Sequence, residues 1–184
     1  MNNYLIMDYQ FVYQEQGDLI SLDNFIMEKK NELLEEVKLE NDKGSSCNIF
    51  YDTAIRDDIF SIHFILYIYT GGAHDIRYDR VFYYDLNDKK EVFLDDIIEN
   101  KKDFFSVLSN KAKDKLLHEK KDLIYDDLYL LEDGLKPIEE NFKYLFFDVD
   151  HLKVIFPPYQ VGPWSSGEIS VNIPYSDIDK YLKV

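Results

Sequence analysis

The chain has four histidines, His63, His74, His118 and His151. None is spaced from another as a helix-borne metal pair requires, whether His-x₃-His or His-Glu-x-x-His. His63 lies in a strand-like run, where a ring hydrogen-bonded within the sheet is expected. His118 falls on a charged helix face and His151 in a hairpin turn. His74 differs, because it sits in a loop after Gly71-Gly72-Ala73 and before Asp75. Three roles fit it: pinning the loop by hydrogen bonds, touching a ligand, or ligating a metal. Carboxylates occur in adjacent pairs at Asp57-Asp58, Asp95-Asp96, Asp126-Asp127 and Glu139-Glu140. Neighbours on a strand point to opposite faces and neighbours on a helix diverge, so adjacency is not convergence, and these pairs read as turn and cap residues. There is no Gly-x-Ser-x-Gly elbow, Ser165-Ser166-Gly167 lacks a strand-turn-helix setting, and the single cysteine, Cys47, has no histidine beside it. Gly71-Gly72 lacks the Gly-Lys-Ser/Thr ending of a phosphate loop. No self-contained catalysis, no metal site and no cofactor are expected.

Two loops concentrate the residues suited to recognition. In the first, Gly71 and Gly72 permit backbone angles closed to other residues and let a partner come close, with His74 beside them. In the second, Pro157–Gly167, the stiff Pro157, Pro158 and Pro163 lower the entropy cost of presenting Tyr159 and Trp164. Gly71, Gly72, His74, Tyr159, Pro163 and Trp164 are therefore the candidate ligand-binding residues. The competing reading is that both rings pack over a sheet and the prolines fix a crossover.

The elements that must hold these loops follow from periodicity. Tyr9–Gln16 reads as a short strand closed by Gly17-Asp18. Asp23–Leu39 reads as a helix with Leu22, Phe25, Ile26, Leu33 and Val37 on one stripe, stopped by Asn41–Gly44. Cys47–Arg56 and Ile59–Tyr69 form strands joined at Asp57-Asp58. Along the second, Phe60, Ile62, Phe64, Leu66 and Ile68 alternate onto one face. Arg77–Leu86 and the short Glu91–Leu94 follow. Asn100 caps a second helix, Lys101 to about Lys121, with Phe104, Leu108, Ala112 and Leu116 as its core stripe. Asp122–Asn141 is ambiguous and has room for a short helix with Pro137 as an early residue. Tyr144–Val149 and Leu152–Phe156 make a hairpin, Glu168–Ile173 is a strand, and Ser176 can cap a closing turn over Asp177–Leu182. This order predicts an α+β fold, antiparallel sheets packed on two main helices without a βαβ rhythm.

Composition excludes several partners. A net charge of −15 opposes nucleic acid and anionic membrane surfaces, and attracts cationic partners at long range, although solubility alone also explains it. One cysteine allows no internal disulfide, and a buried, inert thiol is expected. No apolar run is long enough for a membrane span, and MNNYLIMDYQ lacks the features of a secretory signal. The residues leave two compartments open, the cytoplasm or export by a segment outside this sequence.

Tyr69–His74, followed by Phe82–Leu86 and Val92–Ile97, resembles the RsiV-like C-terminal domain family, as does Phe156–Trp164 continued by Gly167 and Val171–Ile178. The resemblance runs from about Ile59 to Leu182. Residues 9–58 are similar, in strand-helix-strand order, to the companion domain that often precedes it, also found in PdaC-type peptidoglycan deacetylases. The division this implies is 1–58 and 59–184, forming one compact unit together. The resemblance implies an extracytoplasmic binding or sensor module of the cell envelope, its partner a cationic protein such as lysozyme or a peptidoglycan fragment. A hydrolase or deacetylase-like enzyme using His74, or a structural envelope protein, are the alternatives. Family members usually continue Gly-Gly-Ala-His with Pro-Asn, where this chain has Asp75-Ile76.

Overall fold

The computed structural model describes residues 4–6, 16–37, 45–124 and 128–183. The chain opens with β1 (Tyr4–Ile6) and α1 (Gln16–Val37), followed by β2 (Ser46–Arg56), β3 (Ile59–Tyr69), β4 (Ile76–Asp85) and β5 (Lys90–Val92). Next come the helices α2 (Leu94–Ile97), α3 (Lys101–Glu119), α4 (Lys121–Ile124) and α5 (Leu128–Gly134). The strands β6 (Leu145–Phe147), β7 (His151–Phe156) and β8 (Ile169–Pro174) complete the fold, with 3₁₀ turns between and after them. One sheet has the order β1-β2-β3-β4-β5 and the other β6-β7-β8. The α+β class holds.

Alternation along β3 decides the layering. Phe60, Ile62, Phe64, Leu66 and Ile68 face α1 and pack with its Leu22, Phe25 and Leu33, and with Cys47 and Ile49 of β2. Cys47 is buried and its thiol pKa is pushed up by that burial. On the other face the second sheet approaches, with Phe146 of β6 and Ile155 of β7 against Ala54. The outer face of the second sheet, through Leu152, Val154, Phe156 and Val171, closes on Phe104, Leu108, Ala112 and Leu116 of α3. The sequence of layers is α1, first sheet, second sheet, α3. Tyr83 ties the two sheets together by donating its hydroxyl to the Leu145 carbonyl at 2.6 Å, and burial raises its pKa above the ordinary tyrosine value.

Several boundaries differ from expectation. The first strand is Tyr4–Ile6, and residues 9–15 of the expected one lie outside the described residues, as do the expected stop Asn41–Gly44 and the pair Asp126-Asp127. The helix takes in Gly17 and Asp18, since an acidic residue suits a helix N-terminus better than a strand end. The pairing of β1 with β2 is parallel, Tyr4 opposite Cys47, so one βαβ-like crossover stands at the sheet edge. Leu94 opens α2 instead of ending a strand, because Asp96 accepts the Phe93 N–H at 2.9 Å and caps the turn. The third helix is capped by Asn100 as expected, its side chain accepting from Asp103 N–H, but it ends at Glu119. Pro137 lies beyond α5, just ahead of the 3₁₀ turn Glu139–Asn141. His151 is the first residue of β7, not a turn residue. Ser176 lies inside a 3₁₀ turn, Tyr175–Asp177, and caps nothing; a second such turn, Asp179–Tyr181, follows. The division expected at residue 58 falls in the turn between β2 and β3. No helix among the described residues is long and apolar enough to cross a membrane.

Candidate functional site

The β3–β4 connection carries Gly71 at φ 91°, a left-handed angle that glycine adopts without strain, with open space where a side chain would stand. Gly72, Ala73 and His74 are exposed beside it. The second loop leaves β7 at Phe156 and returns at Ile169. It is held from below: the Gln160 side-chain amide donates to the Gly134 carbonyl at 2.9 Å and to that of Asn141 at 2.7 Å, and the Ser166 hydroxyl donates to the Leu123 carbonyl at 2.5 Å. Val161 is fully buried, and Gly162 passes so close to Leu123 that a Cβ there would lie 2.9 Å from its carbonyl oxygen. Pro163 precedes a 3₁₀ turn, Trp164–Ser166, and Gly167 ends it at φ 68°.

These anchors present two rings. Trp164 is 39% exposed and Tyr159 is 64% exposed. Tyr159 also stands at φ 70°, in the left-handed region that a bulky side chain enters only at an energetic cost, with its N–H donating to the Gly162 carbonyl at 3.1 Å. The two loops meet. The His74 ring stacks on Trp164 with centroids 4.0 Å apart and planes 27° apart, while His74 Nδ1 donates to the Asp75 carbonyl. Five of the six expected residues, Gly71, Gly72, His74, Pro163 and Trp164, thus belong to this joint or its immediate supports; Tyr159 stands on the same second loop.

Beneath the joint runs an ionic chain that sequence reasoning did not find. Arg77 Nη2 lies 2.7 Å from Asp79 Oδ1 and 2.6 Å from Glu168, the residue after Gly167. Glu168 also pairs with Lys153 of β7 at 3.1 Å. On the inner side Asp79 accepts from His63 Nε2 at 2.8 Å, with both side chains essentially excluded from solvent. Nε2 carries a proton in that bond, since the carboxylate can only accept. Burial opposes the charge on each of the three linked ions. For Arg77 the bonds to Asp79 and the charge of Glu168 outweigh it, raising the pKa above the ordinary value. For Asp79 the bonds from His63 and Arg77 do so, holding its carboxyl below the ordinary range. For Glu168 the charges of Lys153 and Arg77 have the same effect. A signal was available: Arg77 and Asp79 share one face of β4, and His63 lies on the mixed face of β3, diagonal to Asp79 in the register.

His63 and His118 bear out the plain readings, whereas His151 does not. His63 is a hydrogen-bonded sheet residue, and His118 Nδ1 donates to the Asp114 carbonyl on its own helix. Asp57 sits at φ 52° in the β2–β3 turn. Among the described residues, no group of three or more His, Cys, Asp or Glu side chains could hold a metal ion.

Comparison with known proteins finds relatives for parts of this chain. Residues 95–176 match the family described as "Protein of unknown function (DUF3298)", a stretch that includes the second loop but not Gly71–His74. The chain is 34% identical over 123 residues to the peptidoglycan-N-acetylmuramic acid deacetylase PdaC of Bacillus subtilis, covering 67% of this chain and 26% of the relative's length. The fold is shared with a DUF3298 family protein of Pseudomonas aeruginosa, with a TM-score of 0.58 and 21% identity over 77% of this chain and 64% of that one. It is shared too with a DUF3298 family member of Bacteroides fragilis, with a TM-score of 0.58 and 19% identity over 93% of this chain and 71% of that one. The motif resemblance to an RsiV- and PdaC-like domain is consistent with these matches, in which residues 95–176 are similar to a family of unknown function.

Proposed function

We propose that the chain is a non-catalytic recognition module of the cell envelope that binds its ligand at the joint of the two loops. The observation that carries this is Tyr159: a large ring 64% exposed, on a backbone held at φ 70°, in a loop pinned by Gln160 and Ser166. A strained angle that displays a ring to solvent does nothing for packing, and such strain concentrates at binding surfaces. Trp164 and Tyr159 are the residue types that anchor interfaces. The similarity to a protein named for peptidoglycan supports an envelope setting outside the membrane, and the net charge of −15 favours a cationic partner, of which lysozyme is the specific case.

A hydrolytic reading centred on His74 gains nothing from this geometry, since its ring is committed to Trp164 and its Nδ1 to a backbone carbonyl. Calorimetric titration of lysozyme at low and moderate salt tests the proposal's specific form. Heat at both, larger affinity at low salt, is expected; no heat at either removes lysozyme as the partner.

A further inference from the structure

The first sheet has an unfinished edge. β5 pairs only with Tyr83–Asp85, so β4 from Ile76 to Phe82 has no strand on its outer side among the described residues. The Leu86 N–H donates to the Asp58 carbonyl at 2.8 Å, which sets the phase of the β3–β4 ladder. Even-numbered β4 residues therefore bond β3, and the N–H and C=O groups of Arg77, Asp79 and Val81 point outward. The arrangement agrees with Arg80, whose Nη1 donates to the outward Asp79 carbonyl at 2.9 Å. Even-numbered side chains lie on the α1 side, where a cleft of about 220 Å³ opens over Leu33, Val37, Leu66 and Ile68. Ile76 and Tyr78, at its rim, are 45% and 42% exposed.

We propose that this edge is a docking site for an extended, basic peptide strand with an aliphatic side chain facing α1. Each attribute has its own cause. Outward groups at alternate residues match, in register, those of another extended backbone. The apolar floor and size of the cleft suit one aliphatic side chain. The net charge of −15 selects basic flanks. This surface adjoins the loop joint, sharing Arg77 and Asp79 with the ionic chain beneath it, and Arg80 guards it when unoccupied, as charged residues commonly do on exposed edges.

The probe is an acetylated, amidated peptide of alternating lysine and valine, titrated into the full chain and followed by backbone amide NMR. Binding at up to about 1 mM peptide is expected, with the largest shifts at Arg77, Asp79 and Val81. Methylating the peptide amides that face β4, or replacing lysine by glutamate, should each weaken binding at least about tenfold. Arg80→Ala, which frees the Asp79 carbonyl, should bind at least as tightly as the parent. The proposal is overturned by absence of binding, by a methylated peptide that binds like its parent, by shifts centred on the neighbouring glutamates Glu28, Glu32 and Glu35 of α1, or by a tenfold loss in Arg80→Ala.

Discussion

His74 and Trp164 lie ring on ring, 4.0 Å between centroids, although they belong to separate loops that leave different sheets. Under the stack, Arg77 holds Glu168 at 2.6 Å, so the same two loops are joined twice, once by rings and once by charges. The charged joint is the more buried, so it should contribute more to stability than the ring pair.

Breaking the ionic chain should cost far more than breaking the stack. Asp79→Asn leaves Arg77 and His63 facing a neutral amide in a buried site, and a loss of about 3 kcal/mol or more is expected. His74→Ala removes an exposed ring pair and should cost about 1 kcal/mol or less. Urea denaturation of both variants measures the contrast; equal losses would place the weight on the stack instead. Arg77→Lys should not rescue, because an ammonium cannot span Asp79 and Glu168 as the planar guanidinium does.

The same carboxylates predict an acid-side dependence. Asp79 and Glu168 have folded pKa values below their ordinary 3.8 and 4.5. Groups depressed in this way contribute stability that is present in full above the unfolded values and lost as pH falls through the folded ones. The urea midpoint should therefore drop below about pH 4.5, and Asp79→Asn should flatten that drop. An unchanged slope in the variant would mean that other carboxylates carry it.

Tyr159→Gly should stabilise the fold while weakening recognition. Glycine tolerates φ 70° where tyrosine is strained, so a gain of up to about 1 kcal/mol is expected, detectable as a higher urea midpoint. A stability loss would show that the ring packs usefully, contrary to its exposure.

Gly134 and Gly71 should respond in different ways to alanine. A Cβ on Gly134 would fall 2.0 Å from the Gln160 carbonyl oxygen, so Gly134→Ala must push the second loop off its anchor. Gly71 faces open space, and Gly71→Ala should cost only its backbone strain, about 1 kcal/mol. Near-ultraviolet circular dichroism of the single tryptophan, Trp164, should change in the first variant and not in the second.

What could be read from the residues alone was local. The period-two run Phe60–Ile68, the i, i+4 stripe of α3 and its Asn100 cap each set a structure through neighbours within a few positions, and each was legible. The pairing of β1 with β2 was not, because a three-residue strand carries too little pattern and its partner lies beyond a helix. The loops were recognisable by composition, yet nothing in either one signals that His74 meets Trp164. That contact follows from how two sheets stack. In the sequence Arg77 is only the first residue of the strand Arg77–Leu86, and only the register opposite Tyr67 and the return of the chain at Glu168 bury it between carboxylates.

The central claim, that the loop joint is the recognition surface, is tested most directly by comparing wild-type and the Tyr159→Gly, Trp164→Ala double variant in calorimetric titrations. Lysozyme and soluble peptidoglycan fragments are each the titrant, at low and moderate salt. At least one of them should bind the wild-type chain, and the double variant, still folded, should bind it at least about tenfold more weakly. Binding of equal strength by both proteins, or none by the wild type to either titrant, would contradict it.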